Sequence, residues 1–342
     1  MKKILLLLLL FSYLILAKED IYEQGKDYFY GMTVEQNYNK AFKLFSHAAK
    51  LDNINAQTAL GLMYIQGKGV KQNDKKGIEL LRKSAHSNSA KAQYYLGTMY
   101  YLGIGGKRDF NIAFRWIKKS ADQNYADAQQ NLAEFYEQGK GTKKDLKKAN
   151  KWFLMAAKSG NADAQYRIAS DYLKEDNIEK AKPWLLKSAE QDNADAQYQL
   201  GWLVLQDIVP NYEISFDWYK KSYDNGNDKV AYILASLYDQ GLGVEKDYRQ
   251  SHIFYQKSVK QGNLDAYLDI ARHYQKGQGV GKNLIKAYNF TLAAARAGHR
   301  IAQREVAQMY RVGKGVKKSN KKAKYWSKNS ESKRLGKCIN CN

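Results

Sequence analysis

Cysteine and proline are nearly absent, with two of each in 342 residues. Both cysteines, Cys338 and Cys341, fall at the extreme C-terminus, so no disulfide framework organises the chain. A redox Cys-x-x-Cys pair needs a helix N-terminus in a βαβ setting, and nothing here reads as β. A zinc site needs further ligands, and no histidine lies in the tail. A disulfide stapling the C-terminus, or an oxidised spectator, remains. His47, His86, His252, His273 and His299 are scattered without metal-ligand spacing, so no metal and no cofactor is expected.

Carboxylates are the next shortage. Asp and Glu number 34 against 56 Lys and Arg, giving a net charge of +22. That balance suits a polyanion partner such as nucleic acid, acidic glycan or an anionic membrane surface. It also fits the Lys-, Asn-, Tyr- and Ile-heavy composition of an A·T-biased genome. Where the charge sits is more informative than its sum.

Long apolar runs are missing except for residues 4–17, which Lys2 and Lys3 precede and only Ser12 and Tyr13 interrupt. A charged start and a run too short for a comfortable span indicate a secretory signal, residues 1–17. Ala17 suits cleavage, although Ile15 is not the small residue usual two positions earlier; an uncleaved anchor is the alternative. The remainder is expected to be exported, periplasmic or secreted, with no transmembrane span after cleavage.

What is present is repetition. Nine starts align at Asp20, Ala56, Ala92, Ala128, Ala164, Ala196, Val230, Ala266 and Ala302. Six of the spacings are 36 residues, and the exceptions are 32 before Ala196 and 34 before Val230. Residues 127–162 show one full unit. Leu132, Ala133 and Tyr136 make one helical face, Gly139 and Gly141 break the helix, and Asp145 can cap the next. Ala149, Trp152, Phe153, Ala156 and Ala157 give that second helix its inner side, and Gly160 can close it. The tyrosine stripe returns at Tyr64, Tyr100, Tyr172, Tyr238, Tyr274 and Tyr310, and core packing is its expected role.

The glycine pair recurs in six units, but no strand precedes Gly103-x-Gly105 and no third glycine follows at the spacing a phosphate loop requires, so these glycines read as turn chemistry. After each hinge comes a capping residue: Asn37, Asn73, Asp109, Asp145, Asn177, Asn211, Asp247, Asn283 and Ser319. Seven positions later stands a large apolar residue: Leu44, Leu80, Trp116, Trp152, Trp184, Trp218, Phe254, Phe290 and Trp326. These are the expected core anchors. Units 164–229 lack the glycine hinge and hold both prolines, with Pro183 expected to kink or delay its helix. After Trp326 the pattern fades into a polar cap.

One helical pair cannot bury its apolar face, so neighbours must stack. The expected fold is all-α, a right-handed α/α superhelical solenoid of about nine helix-turn-helix units over residues 18–330. A basic tail, 331–342, carries the Cys-x-x-Cys. The run Ala90-Lys91-Ala92-Gln93-Tyr94-Tyr95-Leu96-Gly97, with Tyr100, Gly103, Gly105, Asp109, Ala113 and Trp116, resembles the Sel-one-like repeat (SLR) family, relatives of the tetratricopeptide repeats. The resemblance implies an interaction scaffold whose first helices line a concave wall. A cysteine-rich branch of that family has penicillin-binding and weak β-lactamase-like activity, but it carries a Cys pair in each repeat. Here Ser-x-x-Lys occurs only at Ser319–Lys322 and Ser330–Lys333, without Ser-Asp-Asn or Lys-Thr-Gly, so no catalytic residue is assigned.

Two surfaces are candidates. Tyr94, Tyr166, Tyr198 and Tyr232, with Trp202 one turn along, fall on the first helices away from the core stripe. Exposed there, they would hold a protein or peptide partner, while burial between units is the alternative. Lysines gather after the hinges at Lys68, Lys71, Lys75 and Lys76, and at Lys107, Arg108, Lys140, Lys143, Lys144, Lys147 and Lys148. They are densest at Lys314, Lys317, Lys318, Lys321, Lys322 and Lys324, continuing to Lys328, Lys333, Arg334 and Lys337. Lysine without interleaved aromatics suits diffuse contact with an anionic envelope or host-surface polymer, or is a solvated face. Nucleic acid is not expected for an exported chain.

Overall fold

A computed structural model describes residues 18–206 and 208–331. Among them the chain is all helical, with eighteen α-helices and no strand. The proposed signal, Cys338, Cys341, Lys333, Arg334 and Lys337 lie outside the described residues. The chain divides into two compact units at Ile168/Ala169. The first holds α1 (18–30), α2 (Tyr38–Lys50), α3 (Ile54–Gln66), α4 (Asp74–His86), α5 (Ala90–Leu102), α6 (Phe110–Ala121), α7 (Ala126–Gln138) and α8 (Leu146–Lys158). The division falls within α9 (Ala162–Lys174). The second unit continues with α10 (Ile178–Ala189), α11 (Ala194–Val204) and α12 (Tyr212–Asp224). A 3-10 turn (Asp228–Val230) leads into α13 (Ala231–Gln240), followed by α14 (Tyr248–Lys260), α15 (Leu264–Lys276), α16 (Leu284–Arg296), α17 (Arg300–Val312) and α18 (Asn320–Glu331). Odd-numbered helices open a repeat and even-numbered ones close it.

Each second helix starts where its cap was expected. The side chains of Asn37, Asn73, Asp109 and Asp145 accept from the backbone N–H three residues on. In the second unit Asn177, Asn211, Asp247, Asn283 and Ser319 do the same. The cap also ties the repeat together, since its own N–H donates to the stripe tyrosine's carbonyl: Asp145 to Tyr136 at 2.8 Å, Asp247 to Tyr238 at 3.0 Å. Pro183 sits inside α10 without delaying it, because the Asn177 cap sets the start before the ring is reached. That expectation of a late start is corrected.

The two hinge glycines have different tasks. Gly139 ends α7 in the left-handed conformation, φ 70°, its N–H returned to Phe135. Gly141 is a close approach: a Cβ there would collide with the Phe110 carbonyl at the start of the preceding repeat's second helix. Turn chemistry alone therefore undercounts this residue, which is also an inter-repeat contact.

In the first six repeats the core anchor sits one position later than expected. Phe45, Leu81, Ile117 and Phe153 are buried to within a few per cent in the first unit, as are Leu185, Tyr219 and Tyr255 in the second. Leu44, Leu80, Trp116, Trp152, Trp184, Trp218 and Phe290 are half-buried; Phe254 and Trp326 are buried. The deeper position faces the small residue of the first helix, as where a Cβ on Gly97 would stand 2.8 Å from Ile117. The shallower ring instead lies at the rim, covered by a lysine three residues on: Lys119 is 4.7 Å from the Trp116 ring centre and Lys221 is 4.6 Å from Trp218. The tyrosine stripe packs in the core as expected, with Tyr64, Tyr136 and Tyr310 buried.

Candidate partner-binding surface

Several first helices differ in charge from several second helices. α3, α7, α11 and α13 contain no Lys or Arg, whereas α2, α6, α8, α14 and α16 contain no Asp or Glu. Two pairs of consecutive first helices leave a groove between them. In the first unit α5 and α7 enclose about 200 Å³ lined by Tyr101, Leu102, Asn131, Glu134, Phe135 and Gln138. In the second unit α15 and α17 enclose about 170 Å³ lined by Gln275, Glu305, Gln308, Met309 and Val312. These are the same repeat positions: Asn131 corresponds to Glu305, Phe135 to Met309, and Tyr101 to Gln275. Each groove thus has an apolar floor flanked by amides, a carboxylate and basic groups, Lys140 in the first and Lys314 with Arg272 in the second. Burial raises both Glu134 and Glu305 above the usual carboxylate range. Glu134 takes a hydrogen bond from Gln130 Nε2 at 3.2 Å.

The aromatic candidates separate. Trp202 is 43% exposed and stands free on α11. Tyr94, Tyr166, Tyr198 and Tyr232 are half-buried. Tyr198 packs on Tyr219 at 5.7 Å between ring centres, and the Tyr232 hydroxyl donates to Asp269 at 3.1 Å. The expected row of exposed rings is therefore largely wedged between helices, because successive first helices are close enough for one tyrosine to reach its neighbour.

The lysines also divide. Lys314 Nζ donates to Gln275 Oε1 at 2.7 Å in the preceding repeat, and Lys140 Nζ to the Tyr101 hydroxyl at 2.9 Å. Lys322 lies 5.5 Å from the Tyr310 ring centre. Lys317, Lys318, Lys321 and Lys324 are exposed, and no ion pair holds them among the described residues. Ser319 and Ser330, the serines of the two Ser-x-x-Lys matches, have structural partners: Ser319 caps α18 and Ser330 Oγ donates to Ser327 O.

Two features escaped the sequence reading. A glutamine after the repeat start, such as Gln93 or Gln197, donates to the last carbonyls of the preceding second helix at 3.1 and 3.0 Å. Its recurrence after Ala56, Ala92, Ala128, Ala164, Ala196 and Ala302 was the available signal. The second is a buried pair. His252 and His273 stack at 5.6 Å, and His273 Nε2 donates to Asp239 Oδ1 at 2.9 Å. Both Nδ1 atoms are buried without a partner. Burial, then the neighbouring His273 and Lys286, pull His252 down to about 4. The equivalent positions elsewhere hold Phe42, Ile78 and Phe114, or Met63, Met99 and Phe135, so a scan for metal spacing passes over them.

Two solved structures resemble most of the chain. A protective antigen of uropathogenic Escherichia coli with an SLR fold is 26% identical, covering 92% of this chain and 76% of that one, with a TM-score of 0.55. A Sel1 repeat protein from Oxalobacter formigenes is 26% identical over 85% of this chain and 87% of that one, with a TM-score of 0.52. No curated protein matches the chain. The Sel1 repeat profile matches at 16–53, 54–89, 90–125, 126–161, 162–193, 194–227, 229–263, 264–299 and 300–329. Proteins of this kind are generally protein-interaction scaffolds. On the cap, hinge and anchor geometry and on these nine matches, the chain belongs to the Sel1 repeat family.

Proposed function

We propose that this protein is an exported, non-enzymatic adaptor that holds an extended segment of a partner polypeptide along its first helices. The observation that carries the reading is the pair of grooves at equivalent repeat positions, α5/α7 in one unit and α15/α17 in the other. An apolar floor accepts side chains while flanking amides suit the partner's backbone groups. Trp202 is an exposed anchor of the type that interfaces favour. Export is supported by the charged start and apolar run of residues 1–17 and by the likeness to a protective antigen. In the described residues no helix is long and apolar enough to cross a membrane.

Leu102 and Trp202 are 49% and 43% exposed, so Leu102→Glu and Trp202→Ala are expected to leave thermal unfolding nearly unchanged. Each should lower retention of a purified partner about tenfold. Wild-type retention by both variants would sink the adaptor reading. The exposure of Lys317, Lys318, Lys321 and Lys324 favours a second reading, in which this basic end meets an anionic envelope or host-surface polymer. Its mark is a steep loss of binding with added salt.

A further inference from the structure

Tyr125 stands where a capping residue belongs. Side chains of Asn53, Ser89, Asn161, Asn193, Asn263 and His299 cap α3, α5, α9, α11, α15 and α17. Tyr125 holds the same extended conformation at the start of α7 and makes no capping bond. Among the first helices whose start is described, only α13 shares this lack, and it grows out of a 3-10 turn instead. The first unit thus gives up a cap to place a phenol.

That ring joins others. Tyr125 lies 5.2 Å from Tyr94, which meets Tyr95 edge-on at 5.2 Å. All three are half-buried, so each keeps some surface in solvent. Tyr30, 57% exposed, is within electrostatic reach of Tyr95. Beside them is the exposed Asp127, whose carboxylate accepts from Asn161 Nδ2 at 2.8 Å and whose charge acts on Tyr125. Burial, with Asp127 close by, pushes the three phenols up, so they stay neutral in ordinary buffers.

What these rings lack is a cation. Through most of the chain lysine and arginine cover aromatic faces: Lys76 is 4.5 Å from the Tyr64 ring centre and Arg167 is 4.4 Å from Phe153. Among the described residues none lies over Tyr94, Tyr95 or Tyr125. α7 supplies Asp127, Glu134 and Glu137 and no Lys or Arg. Lys91, one turn before Tyr94 and Tyr95 on α5, makes no ion pair or ring contact among the described residues.

We propose that Tyr94, Tyr95, Tyr125 and Asp127 form a binding site for a lysine or arginine side chain of a partner polypeptide. The ring quadrupoles attract the cation's charge, the aliphatic stem packs on their edges, and the Asp127 carboxylate neutralises the head. This rests on the adaptor reading and adds the chemistry of one contact to it.

The test titrates the full chain with acetyl-Gly-Arg-Gly-Lys-Gly-amide by calorimetry at low salt. Binding of this cationic peptide by a chain of net charge +22 is the expected result. Asp127→Asn and Tyr95→Leu should each weaken it about fivefold. Tyr125→Asn should weaken it similarly while raising the thermal midpoint, since the cap is restored. No binding by the wild type, or wild-type affinity in Tyr125→Asn and Asp127→Asn, would overturn the site. Retention of partner through Leu102 and Trp202 is read separately, so the adaptor reading can survive a failure here.

Discussion

At the scale of the residue, depth decides stability more than size. Phe153 is 4% exposed, while its larger neighbour Trp152 lies half-buried at the rim. Phe153→Ala is expected to destabilise by about 3–5 kcal/mol. Trp152→Ala should cost clearly less, about 1–2 kcal/mol, because part of its surface is already in water. Urea denaturation of the two variants checks the order, and a larger loss at Trp152 would reverse the assignment of anchor and rim. Sequence spacing shows that two adjacent large residues face inward; it does not show which of them meets the glycine or alanine of the facing helix.

At the scale of the element, the hinge and the histidine pair make opposite kinds of prediction. Gly141→Ala must place a Cβ against the Phe110 carbonyl and hold a left-handed conformation, φ 64°, so a loss of about 2 kcal/mol or more is expected. Gly160, also left-handed but with open space around it, should lose less on the same substitution when both melts are compared. The histidine pair instead makes α14 and α15 sensitive to acid. His252 is held at about 4 against 6.5 in the unfolded chain, so the unfolded state takes up the proton first as pH falls. Its contribution is intact above pH 6.5 and lost toward pH 4, about 3 kcal/mol over that window. Around the pair stand Asp239 on α13, Tyr248 and Tyr255 on α14, Asp269 and Tyr274 on α15, and Lys286 on α16, with Arg272 paired to Asp269. His252→Phe restores the residue type of Phe42 and Phe114, and its thermal midpoint should fall less between pH 7 and 4.5 than that of the wild type. Equal falls in both proteins would place the acid sensitivity elsewhere.

At the scale of the whole molecule, nine repeats share one grammar while charge and aromatic content vary between them. That grammar was legible because caps, hinge glycines and inward alanines recur at fixed intervals, and each has one local physical cause. The surface was less legible. Tyr94, Tyr198 and Tyr232 sit at one repeat position with Thr58 and Gln130, and their burial depends on what the neighbouring helix supplies. Lys314 looked equivalent to Lys317, yet the first reaches back to Gln275 and the second does not. If the basic end meets an anionic surface, changing Lys317, Lys318, Lys321 and Lys322 to Gln should weaken binding to anionic vesicles at low salt. Unchanged binding would leave those lysines a solvated face. The central claim is that first helices, rather than second helices, carry the partner. Its most direct measurement is site-specific photocrosslinking in intact cells, with the crosslinker placed at Leu102 on α5 or at the exposed Arg115 on α6. A discrete crosslinked partner from Leu102 and none from Arg115 is the expected result; crosslinking from Arg115 alone would contradict it.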